Sequence, residues 1–146
     1  MSQQVLIADD NEQVRTWLRV LLESEGFTVS EACDGPAAVE AARAIRPGFA
    51  LLDLAMPGFD GIAAGSAIRQ CCPATRLVLV TAHSQAGHIV RALRAGFLGY
   101  VVKSDAPDGL LRALREVRAA RLFLSPSASR AVIDAYPTEL IPSVAR

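Results

Sequence analysis

The sequence predicts an α/β fold in which a parallel sheet is covered by helices on both sides. Short apolar runs alternate with longer helical patterns five times along the chain, as in repeated βα units. The third and fourth runs, residues 49–52 and 77–80, are apolar at every position. That pattern is typical of central parallel strands whose two faces are both buried.

The order of these segments predicts the topology. The predicted strands are 5–8, 27–30, 49–52, 77–80 and 98–102, and the predicted helices are 11–24, 35–46, 60–71, 85–95 and 106–121. In the first helix Val14, Leu18, Leu21 and Leu22 share one face, and Gly26 follows as a stop signal. Because such crossovers are right-handed, we expect a flavodoxin-like (βα)5 doubly wound sheet with strand order 2-1-3-4-5.

Residues 1–121 are expected to form one domain, and residues 122–146 a linker or short C-terminal helical extension. The whole chain has 146 residues, which suits a single domain. In the extension, Ser125 followed by Pro126 is a good helix start. Pro137 and Pro142 would end any helix there.

Composition excludes several classes of protein. Fifteen basic residues balance fifteen acidic ones, so net charge favours neither nucleic acid nor membrane binding. The three cysteines, Cys33, Cys71 and Cys72, do not suit a disulfide framework. No apolar run approaches 18 residues and no signal peptide is evident, so we expect a cytoplasmic protein without a membrane span.

Polar side chains stand where four of the five predicted strands end. Asp9 and Asp10 follow the first strand, Asp53 the third, Thr81 the fourth and Lys103 the fifth. Ligands of open α/β sheets bind beyond the carboxyl ends of the strands, so these groups should converge. Three neighbouring carboxylates repel one another, and a divalent cation relieves this. An all-oxygen ligand set without a Cys/His cluster predicts Mg²⁺.

The ordered set of motifs resembles the two-component response-regulator receiver domain over roughly residues 3–121. The matching pieces are Asp9-Asp10, Asp53 with its Met-Pro-Gly-Phe-Asp-Gly tail, Thr81-Ala82, and the stretch from Gly99 to Lys103. The stretch from Gly99 to Pro107 looks like the NarL/FixJ-type subfamily.

The resemblance implies a phosphoacceptor and a metal site. Asp53 would accept the phosphoryl group as a nucleophile. Asp10, Asp53 and the backbone carbonyl of Ala55 would ligate Mg²⁺ directly, and Asp9 would hold it through water. The domain would then be no enzyme, since it catalyses only its own phosphorylation and dephosphorylation.

The resemblance also implies a group that binds and senses the phosphoryl oxygens. Lys103 would contact these oxygens, the Thr81 hydroxyl would hydrogen-bond to one, and Ala82 is small enough to allow approach. Thr81 and Tyr100 would form the two-state switch. The family often has a cis proline after this lysine; Ser104 stands there, and a cis non-proline bond costs about 2.5–4 kcal/mol, so the isomer is left open.

The implied partners are a sensor histidine kinase and, on phosphorylation, a second copy of the chain. The resemblance implies a homodimer through the first and fifth helices or through the face of the fourth and fifth. The first helix offers Trp17 and Leu21, and the fifth offers Leu111 and Leu114 with its arginines. DNA would be contacted only through a LuxR-type output domain, which these residues do not contain, to control transcription.

Three other functions are weighed against this one. A phosphorylation-independent pseudo-receiver is the main alternative, and the presence of Asp9, Asp10, Asp53, Thr81 and Lys103 counts against it. An aspartate-nucleophile phosphatase would need its nucleophile after the first strand with a second Asp two residues on. A flavin-binding domain would need a Ser/Thr-rich phosphate loop there. Neither feature is present.

Overall fold

A computed structural model describes residues 3–136 of the chain. Its strands are β1 Gln4–Ala8, β2 Thr28–Ala32, β3 Phe49–Leu52, β4 Arg76–Thr81, β5 Gly99–Val102 and β6 Phe123–Leu124. Its α-helices are α1 Glu12–Ser24, α2 Gly35–Ile45, α3 Gly61–Cys71, α4 Ala86–Arg94, α5 Asp108–Arg118 and α6 Pro126–Ala135. None of the helices in this described part is long and apolar enough to cross a membrane.

The strands form one parallel sheet in the order β2-β1-β3-β4-β5-β6. The predicted flavodoxin-like order 2-1-3-4-5 is confirmed, with a sixth strand added at the β5 edge. At the centre Val5 of β1 is opposite Val29 on one side and Phe49 on the other. Because every connection is a crossover, all strands present their carboxyl ends at the same edge of the sheet.

Two apolar cores lie on opposite faces of this sheet. One face is covered by α1 and α5, whose Leu18, Leu22, Leu110 and Val117 are fully or almost fully buried. The other is covered by α2, α3, α4 and α6. Leu114 is only 4% exposed and belongs to the first core. The expectation that Leu114 lies on a dimer surface is therefore wrong, because the α5 side that carries it packs against the sheet.

Three helices begin at polar caps that follow the strand edge. The side chains of Asn11, Asp34 and Asp60 accept hydrogen bonds from the backbone N–H groups three residues on, at 3.1, 2.7 and 2.8 Å. Each cap satisfies a donor that the helix itself leaves unpaired. These caps fix where α1, α2 and α3 begin and therefore where the neighbouring loops stand.

The chain after α5 differs from the prediction. The fifth helix was expected to reach residue 121, but α5 ends at Arg118, and Ala120 takes a left-handed φ of 63° that turns the chain towards β6. Strand β6, which was not predicted, pairs with β5 through Phe123 and Leu124. The predicted extension helix is present as α6. Pro137 and Pro142 lie outside the described residues, and the division of the chain at residue 121 stays a prediction.

Ser125 joins this C-terminal segment to β5. It occupies the predicted cap position before Pro126, but its hydroxyl accepts a hydrogen bond from the Val102 N–H at 3.0 Å instead of capping α6. Its own N–H donates to the Tyr100 carbonyl at 2.9 Å. The two bonds satisfy the edge of β5 just before Lys103. The cis peptide bond of this region precedes Pro107, and the Lys103–Ser104 bond is not cis.

Candidate functional site

Backbone hydrogen bonds extend the sheet to two of the predicted carboxylates. Asp53 N–H donates to the Ala8 carbonyl at 2.9 Å, and Asp9 N–H donates to the Ala32 carbonyl at 3.2 Å. These bonds hold both residues at the carboxyl edge of the sheet. Asp9 is 2% exposed and Asp53 is 8% exposed. Asp10, the next residue along, is exposed.

The three aspartates converge as the sequence predicted. Within the described residues, Asp9, Asp10 and Asp53 each offer a carboxylate oxygen, and these oxygens all lie within 4.8 Å of one another. A set of carboxylate oxygens, one of them open to water, suits a hard divalent cation such as Mg²⁺ that keeps part of its water shell. Ala55 is exposed in the turn two residues after Asp53, and its role as a carbonyl ligand stays a prediction.

Lys103 already places one positive charge among these carboxylates. Its Nζ lies 2.8 Å from Asp9 Oδ2 and 3.3 Å from Asp53 Oδ2. Burial acts to lower the pKa of Lys103, but its hydrogen bonds to the two aspartates and their charges outweigh burial and raise that pKa above its ordinary value. The ammonium therefore stays charged and links β5 to β1 and β3.

The surroundings of Asp53 shift its pKa. Burial raises the pKa of Asp53 above its ordinary value of 3.8, and the neighbouring charge of Asp9 adds to the rise. The charge of Lys103 and a hydrogen bond with Thr81 act in the opposite direction. Water solvates a buried carboxylate poorly, so the charges and hydrogen bonds of these few neighbouring groups have a larger effect on its pKa.

Thr81 and Tyr100 meet through the backbone of one residue. The Thr81 hydroxyl accepts a hydrogen bond from the His83 N–H at 3.3 Å, and the Tyr100 hydroxyl donates to the His83 carbonyl at 2.8 Å. Both Thr81 and Tyr100 are fully buried. Burial, and secondarily the charge of Asp53, raises the pKa of Tyr100 to about 12. Ala82, between Thr81 and His83, is exposed beside the carboxyl edge.

Sequence reasoning missed two residues that shape the site. Arg15 of α1 donates to the Asp9 carbonyl at 2.7 Å and to Glu31 Oε1 at 2.9 Å. The backbone of His83 connects Thr81 to Tyr100. In the sequence Arg15 is one of several charged residues on the polar side of the first helix, and nothing in the sequence pattern singles out a backbone carbonyl.

The turn between β3 and α3 brings the start of α3 against the backbone of Asp53. Gly58 has a φ of 88°, which glycine adopts without the steric cost that other residues meet. A Cβ added at Gly61 would collide with the carbonyl oxygen of Asp53. The first residue of α3 is therefore packed directly against the backbone that carries the candidate phosphoacceptor.

Comparison with known proteins agrees with this architecture. Residues 5–115 match the response regulator receiver domain family. The chain belongs to that family. It is a signalling domain of two-component systems and not a catalytic enzyme in the usual sense.

The receiver is similar to a NarL regulator and to a chemotaxis protein. The chain is 32% identical over 123 residues to the nitrate/nitrite response regulator protein NarL of Escherichia coli, covering 83% of this chain and 57% of that protein. It is 33% identical to the chemotaxis protein CheY of Halobacterium salinarum, covering 82% of this chain and all of that protein. The receiver spans 57–62% of the length of the first curated relatives that it matches.

A solved structure shows the same fold. The crystal structure of a two-component response regulator of the LuxR family from Aurantimonas superposes with a TM-score of 0.86 at 33% identity. The match covers 90% of this chain and 96% of that one. Ninety per cent of the 146 residues is more than the five βα units contain, so the likeness extends into the C-terminal segment.

Proposed function

We propose that this receiver accepts a phosphoryl group on Asp53 from a sensor histidine kinase, in a reaction that needs Mg²⁺. The observation that supports this most directly is the placement of the Asp53 carboxylate 3.3 Å from the Lys103 ammonium, with carboxylates of Asp9 and Asp10 beside it. Phosphoryl transfer to a carboxylate requires a nucleophile, a positive charge fixed beside it, and oxygen donors that can hold a divalent cation.

In the proposed reaction an oxygen of the Asp53 carboxylate attacks phosphorus. The bond between phosphorus and the donor breaks, its electron pair leaves with the donor, and an acyl phosphate forms on Asp53. Lys103 neutralises negative charge on the phosphoryl oxygens. Asp10, Asp53 and the Ala55 carbonyl would hold Mg²⁺, with Asp9 acting through water. Bound there, the ion supplies charge neutralisation and orientation for the transfer.

The switch follows from the hydrogen bonds around Thr81. Its hydroxyl now interacts with Asp53 and with the His83 N–H. A phosphoryl group on Asp53 offers new acceptor oxygens to that hydroxyl. Movement of Thr81 shifts His83, whose carbonyl holds the Tyr100 hydroxyl. The new charge is thereby coupled to β5 and α4, which changes the surface offered to a second copy of the chain and to a transcriptional output domain.

The deciding experiment is phosphorylation by acetyl phosphate followed by intact mass measurement. The wild type should gain one acid-labile phosphoryl group with Mg²⁺ and lose most of this labelling with EDTA. Asp53→Asn should abolish it, whereas the control Asp34→Asn should be labelled normally, because asparagine also caps a helix well.

Two results would count against the proposal. Undiminished labelling of the Asp53→Asn protein would move the phosphoacceptor elsewhere. No labelling of the folded wild type, with Mg²⁺ and several phosphodonors, would favour the phosphorylation-independent pseudo-receiver.

A further inference from the structure

A pair of thiols lies at the opposite end of α3 from the phosphoacceptor. Cys71 is the last residue of the helix, and Cys72 follows it with φ of −137° and ψ of 70°. Consecutive side chains within a helix point in different directions and do not face each other. Because Cys72 has left helical geometry, the two sulfurs can approach, and they lie 3.5 Å apart.

Each sulfur is held in place by a backbone carbonyl. Cys72 Sγ donates to the Ala42 carbonyl of α2 at 3.3 Å, and Cys71 Sγ donates to the Ile68 carbonyl at 3.6 Å. Cys72 is 2% exposed, whereas Cys71 is partly exposed. The pair therefore has one thiol that a reagent meets first and a second thiol fixed directly behind it.

The geometry and the neighbours narrow the class of ligand. An atom bonded to both sulfurs at about 2.3 Å, the usual length for a thiolate–metal bond, would make an S–X–S angle of roughly 100°. Soft centres are the partners that thiolates select. Within residues 3–136 the aspartates are the cluster of three or more metal-ligating side chains, so this pair supplies two ligands, too few for the four of a structural zinc site.

We propose that Cys71 and Cys72 form a dithiol site for trivalent arsenicals. A pyramidal trivalent arsenic that carries one organic group accepts two thiol sulfurs at an angle close to that of the pair. With an arsine oxide the two S–H bonds and the As–O bonds break, two S–As bonds form and one water leaves. Arsenic remains trivalent, so the step needs neither an oxidant nor a reductant.

The second bond makes the complex selective over a single cysteine. Once Cys71 has reacted, Cys72 attacks within the same molecule, at a high effective concentration set by the 3.5 Å separation. An adduct on one thiol lacks this advantage and exchanges readily with other monothiols. Cys33, which is exposed in the loop after β2, provides an internal single-thiol comparison.

The test uses phenylarsine oxide with the full chain, in excess 2-mercaptoethanol, followed by intact mass measurement. The wild type and Cys33→Ser should each retain one phenylarsenic group, which the small dithiol 2,3-dimercaptopropanol should remove. Cys71→Ser and Cys72→Ser should each retain at least tenfold less. Peptide mapping after alkylation should show Cys71 and Cys72 protected and Cys33 modified.

Cys71→Ser keeps the test decisive if Cys72→Ser proves unstable, because Cys71 is partly exposed and its loss leaves the buried thiol in place. Thermal unfolding of each variant checks this. Retention of the arsenical by folded Cys71→Ser, loss of it from Cys33→Ser, or no retention by the wild type would each overturn the proposal.

Discussion

At the scale of single residues, the candidate phosphoacceptor is held where its charge is costly. Asp53 is buried beside a second buried carboxylate, Asp9, and burial raises its pKa above the ordinary value. A group with a raised pKa in the folded state stabilises the fold below its unfolded pKa, here 3.8, and loses this contribution as pH rises through the folded pKa. At neutral pH the ionised carboxylate therefore lowers stability.

From this we predict that Asp53→Asn unfolds at higher denaturant concentration than the wild type at pH 7 without Mg²⁺. The gain should be about 1 kcal/mol, the usual size for one substitution, since Lys103 keeps Asp9 as its partner. The gain should shrink as pH falls towards 3.8 and both states become protonated. Urea unfolding between pH 3 and 7 measures it, with Asp34→Asn as control. A variant less stable than the wild type at pH 7 would contradict the prediction.

Lys103 and a divalent cation should serve the same carboxylates. Without Mg²⁺, we predict that Lys103→Met lowers the free energy of unfolding by about 1–3 kcal/mol, because Asp9 and Asp53 lose their shared counter-charge. Mg²⁺ should stabilise this variant more than the wild type, because the ion replaces the missing charge. Urea unfolding across a Mg²⁺ series measures both effects.

The control for this prediction is Arg91→Met. It removes an exposed ion pair with Asp60 at 3.3 Å, so the cost should stay under about 1 kcal/mol and should not depend on Mg²⁺. Equal Mg²⁺ stabilisation of Lys103→Met and the wild type would show that the lysine and the ion do not share ligands.

At the scale of elements, α3 determines the position of the site through a residue without a side chain. Gly61 begins α3 against the carbonyl of Asp53, where a Cβ would collide with that oxygen. The Asp53 carbonyl belongs to the backbone, so it cannot turn away from an added Cβ as the end of a flexible side chain could. The small residue at this position is therefore required by the close approach of the helix to the strand end.

We predict that Gly61→Ala destabilises the domain by about 1–3 kcal/mol, as overpacking does, and slows phosphorylation because it displaces Asp53. Gly87→Ala in α4 is the control. Apart from the adjacent residues and the backbone of α4 itself, no atom lies within 4 Å of the added methyl group there, so it should stabilise by about 0.5–1 kcal/mol through helix propensity. Thermal unfolding and the acetyl phosphate rate measure the two effects. A Gly61→Ala protein with unchanged rate and stability would refute the packing argument.

The C-terminal segment shows how an element can be tied to the site by side chains. Beyond the β6–β5 pairing, Asp105 accepts hydrogen bonds from the Ser127 N–H at 2.9 Å and hydroxyl at 2.8 Å. Burial acts to raise the pKa of Asp105, but hydrogen bonds from Ser125 and Ser127 lower it overall. Asp105 follows Lys103 by two residues, so α6 is anchored close to the proposed phosphoryl-binding lysine.

At the scale of the whole molecule, the proposed output is self-association. The surface open to a partner is narrower than sequence suggested, because Leu114 is buried and Leu21 is partly buried. Trp17 and Val20 on α1 are 43% and 63% exposed. An acidic first half and a basic second half of the chain suit the reciprocal contacts of a two-fold dimer.

We predict a weak monomer–dimer equilibrium that shifts towards dimer when Asp53 carries a phosphoryl mimic. A tenfold tighter dimer requires about 1.4 kcal/mol of coupling between the site and the interface. Sedimentation across a concentration series, with and without beryllofluoride and Mg²⁺, measures it, and Asp53→Asn should show no shift. Identical dissociation constants for the wild type in both states would reject the coupling and leave the proposed phosphoacceptor role intact.

The sequence by itself predicted a parallel sheet covered on both faces and the convergence of the site. Apolar runs on the central strands can only be buried in a sheet covered on both faces, and parallel strands bring Asp9, Asp53 and Thr81 to one edge. Those inferences need only local patterns and chain connectivity. They hold whatever the side chains do in detail.

The tertiary structure alone decided the contacts between distant segments. Strand β6 is two residues long and carries no periodicity, so its pairing with β5 depends on an edge that the rest of the fold creates. The sequence predicted Ser125 as a helix cap, but its hydroxyl accepts a hydrogen bond from the Val102 N–H instead. The 3.5 Å approach of the Cys71 and Cys72 sulfurs likewise depends on where α3 ends against α2. These contacts join groups that come together only after folding, so local sequence patterns do not predict them.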